Sequence, residues 1–256
     1  MSSKTSKVGV IGAGNVGADV ANALVLLRKC VKVVLFDRTL SKAEGQAWDI
    51  EDSIPLLEEM EIIPSNKYED LADSDVIVVT VGVQPKLGQS RLDTLSDNAE
   101  IIRSTMKELD RVAPNSIVLI VSNPVDVLTR IAIASSTRAE NLIFGSGTVL
   151  DTARLRYQLG KRLNVAKQDV HVYVIGEHGD SEFVVWSRGL PKNKSFQKNK
   201  RQVFSRMIII LRGGEKRVAE GNPFLPLSPS SMHEESIHLS STLKLNSVKL
   251  VCFVAK

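Results

Sequence analysis

Cysteine, aromatic residues and long apolar runs are all scarce in this chain of 256 residues, of which only 5% are Phe, Trp or Tyr. The two cysteines, Cys30 and Cys252, are too few and too far apart for a disulfide framework or a four-ligand zinc site. No metal is therefore expected, and a reducing compartment is. No uncharged apolar stretch reaches the roughly 18 residues a membrane span needs. The N-terminal MSSKTSK leads straight into a strand-like segment without the apolar core of a secretory signal. No membrane contact is expected, and the predicted location is the cytoplasm. Apolar residues as a class are not short, at 43%, which is enough for a sizeable core and excludes general disorder.

Aspartate is missing altogether from the last 69 residues, and with it the acidic balance of the chain. From Arg188 onward 13 Lys or Arg face four Glu, which leaves 20 basic and 25 acidic residues before that point. The formal charge of +4 thus belongs wholly to the tail, and the part before it is mildly acidic. No phosphate-tracking surface is implied there, and no nucleic-acid partner is expected. The tail begins RGLPKNKSFQKNKRQ, continues through FLPLSPSS, and shows no sustained periodicity. Only 203–211 and 249–254 read as capable of regular structure.

Apolar, β-branched runs recur at Val8 to Ile11, Val33 to Phe36, Val76 to Val81, Ile117 to Val121 and Val170 to Ile175. Helical spacing fills Asn15 to Leu27, Leu95 to Val112 and Leu150 to Leu163 between them. Strand alternating with helix predicts a parallel sheet with crossover helices.

The first such unit carries GAGNVG, with Gly12, Gly14 and Gly17 following a strand and opening a helix. In that context Gly12 allows a tight turn, Gly14 lets a pyrophosphate approach the backbone, and Gly17 allows close helix packing. The diphosphate would sit on the helix N-terminus, where free N–H groups and the dipole favour anions. Asp37 closes the second strand 20 residues after Gly17, where a carboxylate accepts ribose hydroxyls and repels a 2′-phosphate. The expected cofactor is NAD rather than NADP.

Hydride transfer to a carbonyl needs a proton donor, a cation at the carbonyl and an anchor for the substrate. In GEHGDS, His178 is a candidate donor, because imidazole titrates near neutral pH. Asp151 is a candidate partner for it, and Arg154, three residues on, has the planar fork that grips a carboxylate. Arg91 lies in a Gly- and Pro-bearing loop able to close as a lid, and Asn123 at the carboxyl end of a strand is placed to contact ligand. Individually each has a plainer explanation: a surface histidine, a helix-surface ion pair, a turn-forming Asn-Pro. Their joint occurrence, in order behind a dinucleotide fingerprint, is what carries weight.

Residues 7–187 resemble the L-lactate/malate dehydrogenase family, and its lactate branch in particular, through GAGNVG, the Gly-Gln-Ser-Arg91 loop, SNPVD, SGTVLDTARLRYQLG and GEHGDSEFVVWS. The resemblance implies an α/β fold: a Rossmann-type doubly wound parallel sheet over 7–147, followed by a truncated α+β substrate domain beginning at 148–187. It implies His178 as acid/base catalyst paired with Asp151, Arg91 as the carbonyl-polarising residue, and Arg154 as the carboxylate clamp. It implies that Val16, Asp37, Tyr68, Gly82, Val83 and Asn123 line the NAD site with the three glycines, and that Asn123 also touches substrate. Arg156 and His171 match positions that bind fructose 1,6-bisphosphate in bacterial members, although unregulated relatives keep similar residues. The implied reaction is reversible reduction of pyruvate to L-lactate by a homotetramer.

Two departures qualify that pattern. Lactate enzymes place Gln, and malate enzymes Arg, six residues before the loop arginine; this chain has Pro85 there, with Gln84 before it. Absence of Arg argues against malate, and a larger apolar 2-oxo acid also suits the position. The second departure is residues 188–256, which read as an atypical tail, frameshifted or disordered, and would leave the substrate site without one wall. A catalytically silent NAD-binding remnant is the rival reading.

Overall fold

The computed structural model describes residues 6–57, 59–83 and 94–186. Arg91, Pro85 and Gln84 lie outside the described residues, as does the whole tail 188–256. The described residues divide into two compact units, the first closing at Ser146 and the second opening at Gly147.

In the first unit, β1 (Lys7–Ile11), β2 (Lys32–Phe36), β3 (Glu61–Ser65), β4 (Val76–Val79), β5 (Ile117–Ile120) and β6 (Ile143–Gly145) form one sheet in the order β3-β2-β1-β4-β5-β6. Every pairing in it is parallel. The chain starts in the middle, winds outward to β3, returns past β1 and winds to the other edge. That reversal puts a topological switch point between β1 and β4, and ligands in open α/β sheets bind outside the carboxyl ends of strands at such a point.

The period of two along each strand explains why both faces are covered. Val8, Val10, Val33 and Leu35 face one layer, with residues of α1 (Asn15–Leu26) and α2 (Leu40–Glu51). Ile11, Val34, Phe36, Ile77, Val79, Val118 and Ile120 face the other, with α3 (Leu95–Val112) and α4 (Val125–Ser135). Strands buried on both sides read as continuous apolar runs, which is how they stand in the sequence. Each large side chain buried this way contributes about 1.5–3 kcal/mol. β3 carries Pro64 and was not legible as a strand; at the sheet edge its missing N–H costs nothing in the ladder.

The second unit has α5 (Val149–Leu163) and an antiparallel hairpin of β7 (Tyr173–Ile175) and β8 (Phe183–Val185). The apolar run from Val170 becomes strand only at Tyr173, because a 3₁₀ turn over Lys167–Asp169 delays it. Among the described residues its core is built of Leu155, Leu159, Val170, Val172 and Val174, with Leu163, Val184 and Trp186 packed against them. Among the described residues no helix is long and apolar enough to cross a membrane.

Gly17 is the tightest point where α1 meets β1, since a Cβ there would overlap the carbonyl oxygen of Gly12 and stand 2.8 Å from Thr80 Oγ1. Backbone cannot yield as a side chain does. Gly17→Ala is therefore expected to cost about 3 kcal/mol in urea denaturation, at the upper end of ordinary overpacking.

Candidate active site

The turn after β1 is built to leave a helix end bare. Gly12 has φ +104°, a conformation only glycine adopts cheaply, and its N–H donates to the carbonyl of Phe36 at 2.7 Å. Gly14 then caps α1 without a side-chain hydrogen bond, and no acid occupies the first turn. The N–H groups of that turn keep their partial positive charge for an outside anion. Above Gly14 the space is open, the nearest atom to an added Cβ being Lys42 Nζ at 3.9 Å. Val16 is half-buried in the same turn, and Thr80 Oγ1 donates to the carbonyl of Ile11 at 2.9 Å, tying β4 to it.

Asp37 follows β2 directly and is itself held in place. Its Oδ2 accepts from the Ala13 N–H and its Oδ1 from the Thr39 N–H, both at 3.0 Å. Lys42 Nζ stands 3.5 Å from Oδ2. Burial opposes the charge, but the two backbone donors and the lysine outweigh it and hold the carboxyl below the ordinary aspartate range. Lys42 is a residue that sequence reasoning missed, because its proximity to Gly14 and Asp37 arises only when α2 folds back along the sheet. Tyr68, in a 3₁₀ turn after β3, lies with its ring centroid 4.4 Å from that of Phe36.

Asn98 in α3, also missed, organises the loops after β4 and β5. Its Oδ1 accepts from the Val83 N–H at 2.6 Å, and its Nδ2 donates to the carbonyl of Asn123 at 3.2 Å. A buried side chain thereby brings Gly82, Val83 and Asn123 together at the carboxyl ends of two neighbouring strands. No motif marks such a residue; only its interruption of an apolar helix face hinted at it.

In the second unit, threonines lock the start of α5 to β7. Thr148 Oγ1 donates to the carbonyl of Val174 at 2.7 Å, and the Val174 N–H donates to Thr152 Oγ1 at 3.0 Å. Asp151 lies between those threonines in the first helical turn, where the dipole favours an anion. His178 lies in the loop after β7, which Gly176 turns at φ +101°. The result is His178 Nδ1 at 2.6 Å from Asp151 Oδ2, with the Asp side chain 1% and the His side chain 23% exposed. A guanidinium nitrogen of Arg154 lies 3.4 Å from the other oxygen of Asp151. Arg156 donates from Nε to the carbonyl of Val172 at 2.9 Å and stacks over Tyr173, while His171 is exposed just before β7.

A third carboxyl group, that of Glu182, joins this cluster from the position just before β8. One nitrogen of His178 and one oxygen each of Asp151 and Glu182 lie within 4.8 Å of one another. Burial, followed by the negative charge of Asp151, pushes Glu182 up to about 7. The sequence named Asp151 and His178 but not Glu182.

Residues 6–145 match the family model of the lactate/malate dehydrogenase NAD binding domain, and residues 148–233 that of the lactate/malate dehydrogenase alpha/beta C-terminal domain. The chain belongs to the lactate/malate dehydrogenase family. Its first unit is this family's NAD-binding domain, and NAD is its cofactor. The second match continues past Ser187, where the composition changes. An L-lactate dehydrogenase of Clostridium perfringens is 42% identical over 184 residues, 72% of this chain and 58% of that protein. The chain thus spans less than two thirds of the length of the curated relatives it matches. Among solved structures, the lactate dehydrogenase MGS-M5 from a deep-sea metagenome library is 31% identical with TM-score 0.78, covering 96% of this chain and 77% of that one. The malate dehydrogenase of Picrophilus torridus is 28% identical with TM-score 0.79, covering 98% and 75%. The TM-scores show that this chain shares the fold of those neighbours.

Two outcomes test this geometry. Asn98→Ala leaves the Val83 N–H without its acceptor and is expected to cost about 1–3 kcal/mol in urea denaturation. The depressed carboxyl of Asp37 stabilises the fold above the unfolded aspartate value, near pH 4. The stability advantage of the wild type over Asp37→Asn, followed by denaturation at successive pH values, is expected to be full at neutrality and to vanish as acid protonates Asp37.

Proposed function

We propose that the chain is an NAD-dependent L-lactate dehydrogenase, catalysing reversible hydride transfer between NADH and pyruvate in the cytoplasm. The observation that carries this is the contact of His178 Nδ1 with the buried carboxylate of Asp151 at 2.6 Å. The lactate dehydrogenases among its relatives support the choice of substrate.

The first unit suits the cofactor: the bare α1 N-terminus and the open side of Gly14 fit a diphosphate, and the fixed carboxylate of Asp37 fits ribose hydroxyls. Val16, Tyr68, Gly82, Val83 and Asn123 would line the rest of it. The nicotinamide cofactor, when bound, would donate the hydride as NADH and accept it as NAD+. With Nδ1 engaged by Asp151, proton transfer to and from the substrate oxygen falls to Nε2 of His178. Asp151 fixes the imidazole's orientation and stabilises its charged form, as the carboxylate of a catalytic dyad does. Arg154 would hold the substrate carboxylate by its planar fork, and Arg91 would polarise the carbonyl. Assembly as a homotetramer and an effector contact through Arg156 and His171 belong to the same proposal.

A second reading, an NAD-binding chain without turnover, is favoured by the change of composition after Ser187, within the span of the C-terminal domain match. Pro85 keeps open a preference for a 2-oxo acid larger than pyruvate.

Oxidation of NADH by the purified chain with pyruvate, oxaloacetate or 2-oxoisocaproate separates these readings. Turnover with pyruvate is expected, reduced about 100- to 10,000-fold in His178→Asn while NADH still binds. Preference for the larger acid would move the substrate assignment, and NADH binding without turnover on any acid would establish the silent reading.

A further inference from the structure

Glu182 is absent from the mechanism above, yet the fold takes care to place it. Its backbone N–H donates to the carbonyl of Gly179 at 3.3 Å, closing the turn that carries His178 into β8. A Cβ on Gly176 would stand 3.4 Å from the Glu182 Cα, so the loop draws the two ends of the His178 turn close together. The side chain points into the cluster: its Oε2 is enclosed and has no hydrogen-bond partner. Among the described residues, the charged or chargeable groups that act on it are Asp151 and Arg154 from α5 and His178 from its own loop. The remaining acids of that loop, Glu177 and Asp180, are exposed, and Glu177 accepts from Ser181 Oγ at 2.9 Å.

Two carboxylates this close repel each other and leave an enclosed oxygen without a donor. A proton on Glu182 removes both penalties, since the acid becomes a donor toward Asp151. We propose that Glu182 is a positioning residue that governs the protonation of His178. As a carboxylate it is a second negative charge beside the imidazolium and keeps the proton on the ring. As a carboxylic acid it bonds to Asp151, draws that oxygen's charge toward itself and withdraws the support. This deepens the reading of His178 as acid/base group and rests on it.

The push of Glu182 up to about 7 places its ionisation where an imidazole also titrates. The two groups then lose their protons in two coupled steps that belong to the pair. Reduction of a 2-oxo acid needs the imidazolium, and oxidation of a hydroxy acid needs the neutral ring. Ionised Glu182 therefore extends the reductive direction toward alkaline pH and trims the oxidative direction on the acid side.

Ring NMR signals of His178, assigned with His178→Asn, are to be followed through a pH titration in the full-length wild type, Glu182→Gln and Glu182→Asp. The wild type is expected to titrate in two steps, Glu182→Gln in one step centred about one pH unit lower, and Glu182→Asp in two steps again. In turnover, Glu182→Gln is expected to lower kcat/KM for reduction about tenfold on the alkaline side while raising the oxidation rate in mild acid. Structural damage alone would depress both directions. A single-step titration in the wild type overturns the proposal even if the Gln variant does not fold, and so does an unshifted midpoint in a folded Glu182→Gln. The expected titrations in a protein that turns over no substrate would refute the catalytic assignment of His178 and leave the charge coupling standing.

Discussion

A carboxylate with 1% of its side chain exposed, such as Asp151, costs several kcal/mol to bury unless cations and donors surround it. That requirement organises the second unit. The helix N-terminus, the Arg154 guanidinium and the His178 ring all converge on this one group. Thr148 and Thr152 hold β7 against the start of the helix so that the convergence is possible. Contact through Nδ1 with a buried carboxylate fixes the orientation of the His178 ring, which is what the proposed acid/base role asks of it. Glu182 adds a carboxyl whose preferred state near neutrality is neither firmly charged nor firmly neutral.

The first unit solves a different problem, that of holding a polyanion without a row of fixed cations. Its answer is backbone: a glycine turn, an uncapped helix end and a carboxylate fixed by two N–H donors, all at the carboxyl ends of a doubly covered parallel sheet. Burial on both faces of that sheet makes the platform stiff. Asn98 extends the same economy, one amide joining the loops that follow two strands.

Much of this was legible in the sequence because it depends on short-range patterns. Runs of β-branched residues marked β1, β2, β4 and β5, and helical periodicity marked α3 over Leu95–Val112. The glycine spacing carries a backbone requirement that no other residue meets, and so it is visible without coordinates. By contrast α2, with its charged and small residues, and β6, only three residues long, give too weak a pattern to be delimited.

What the sequence by itself determined, then, is the layered parallel sheet and the identities of its glycine turn, Asp37, Asp151 and His178, since periodicity and residue chemistry are local properties. What only the tertiary structure decided is who meets whom. Lys42 reaches Asp37, Asn98 reaches across 25 positions to Asn123, and Glu182 turns back toward a helix residue 31 positions earlier. Such meetings are set by how helices close over a sheet and how a loop reverses, and their consequences for charge follow from burial, which no single stretch of residues contains.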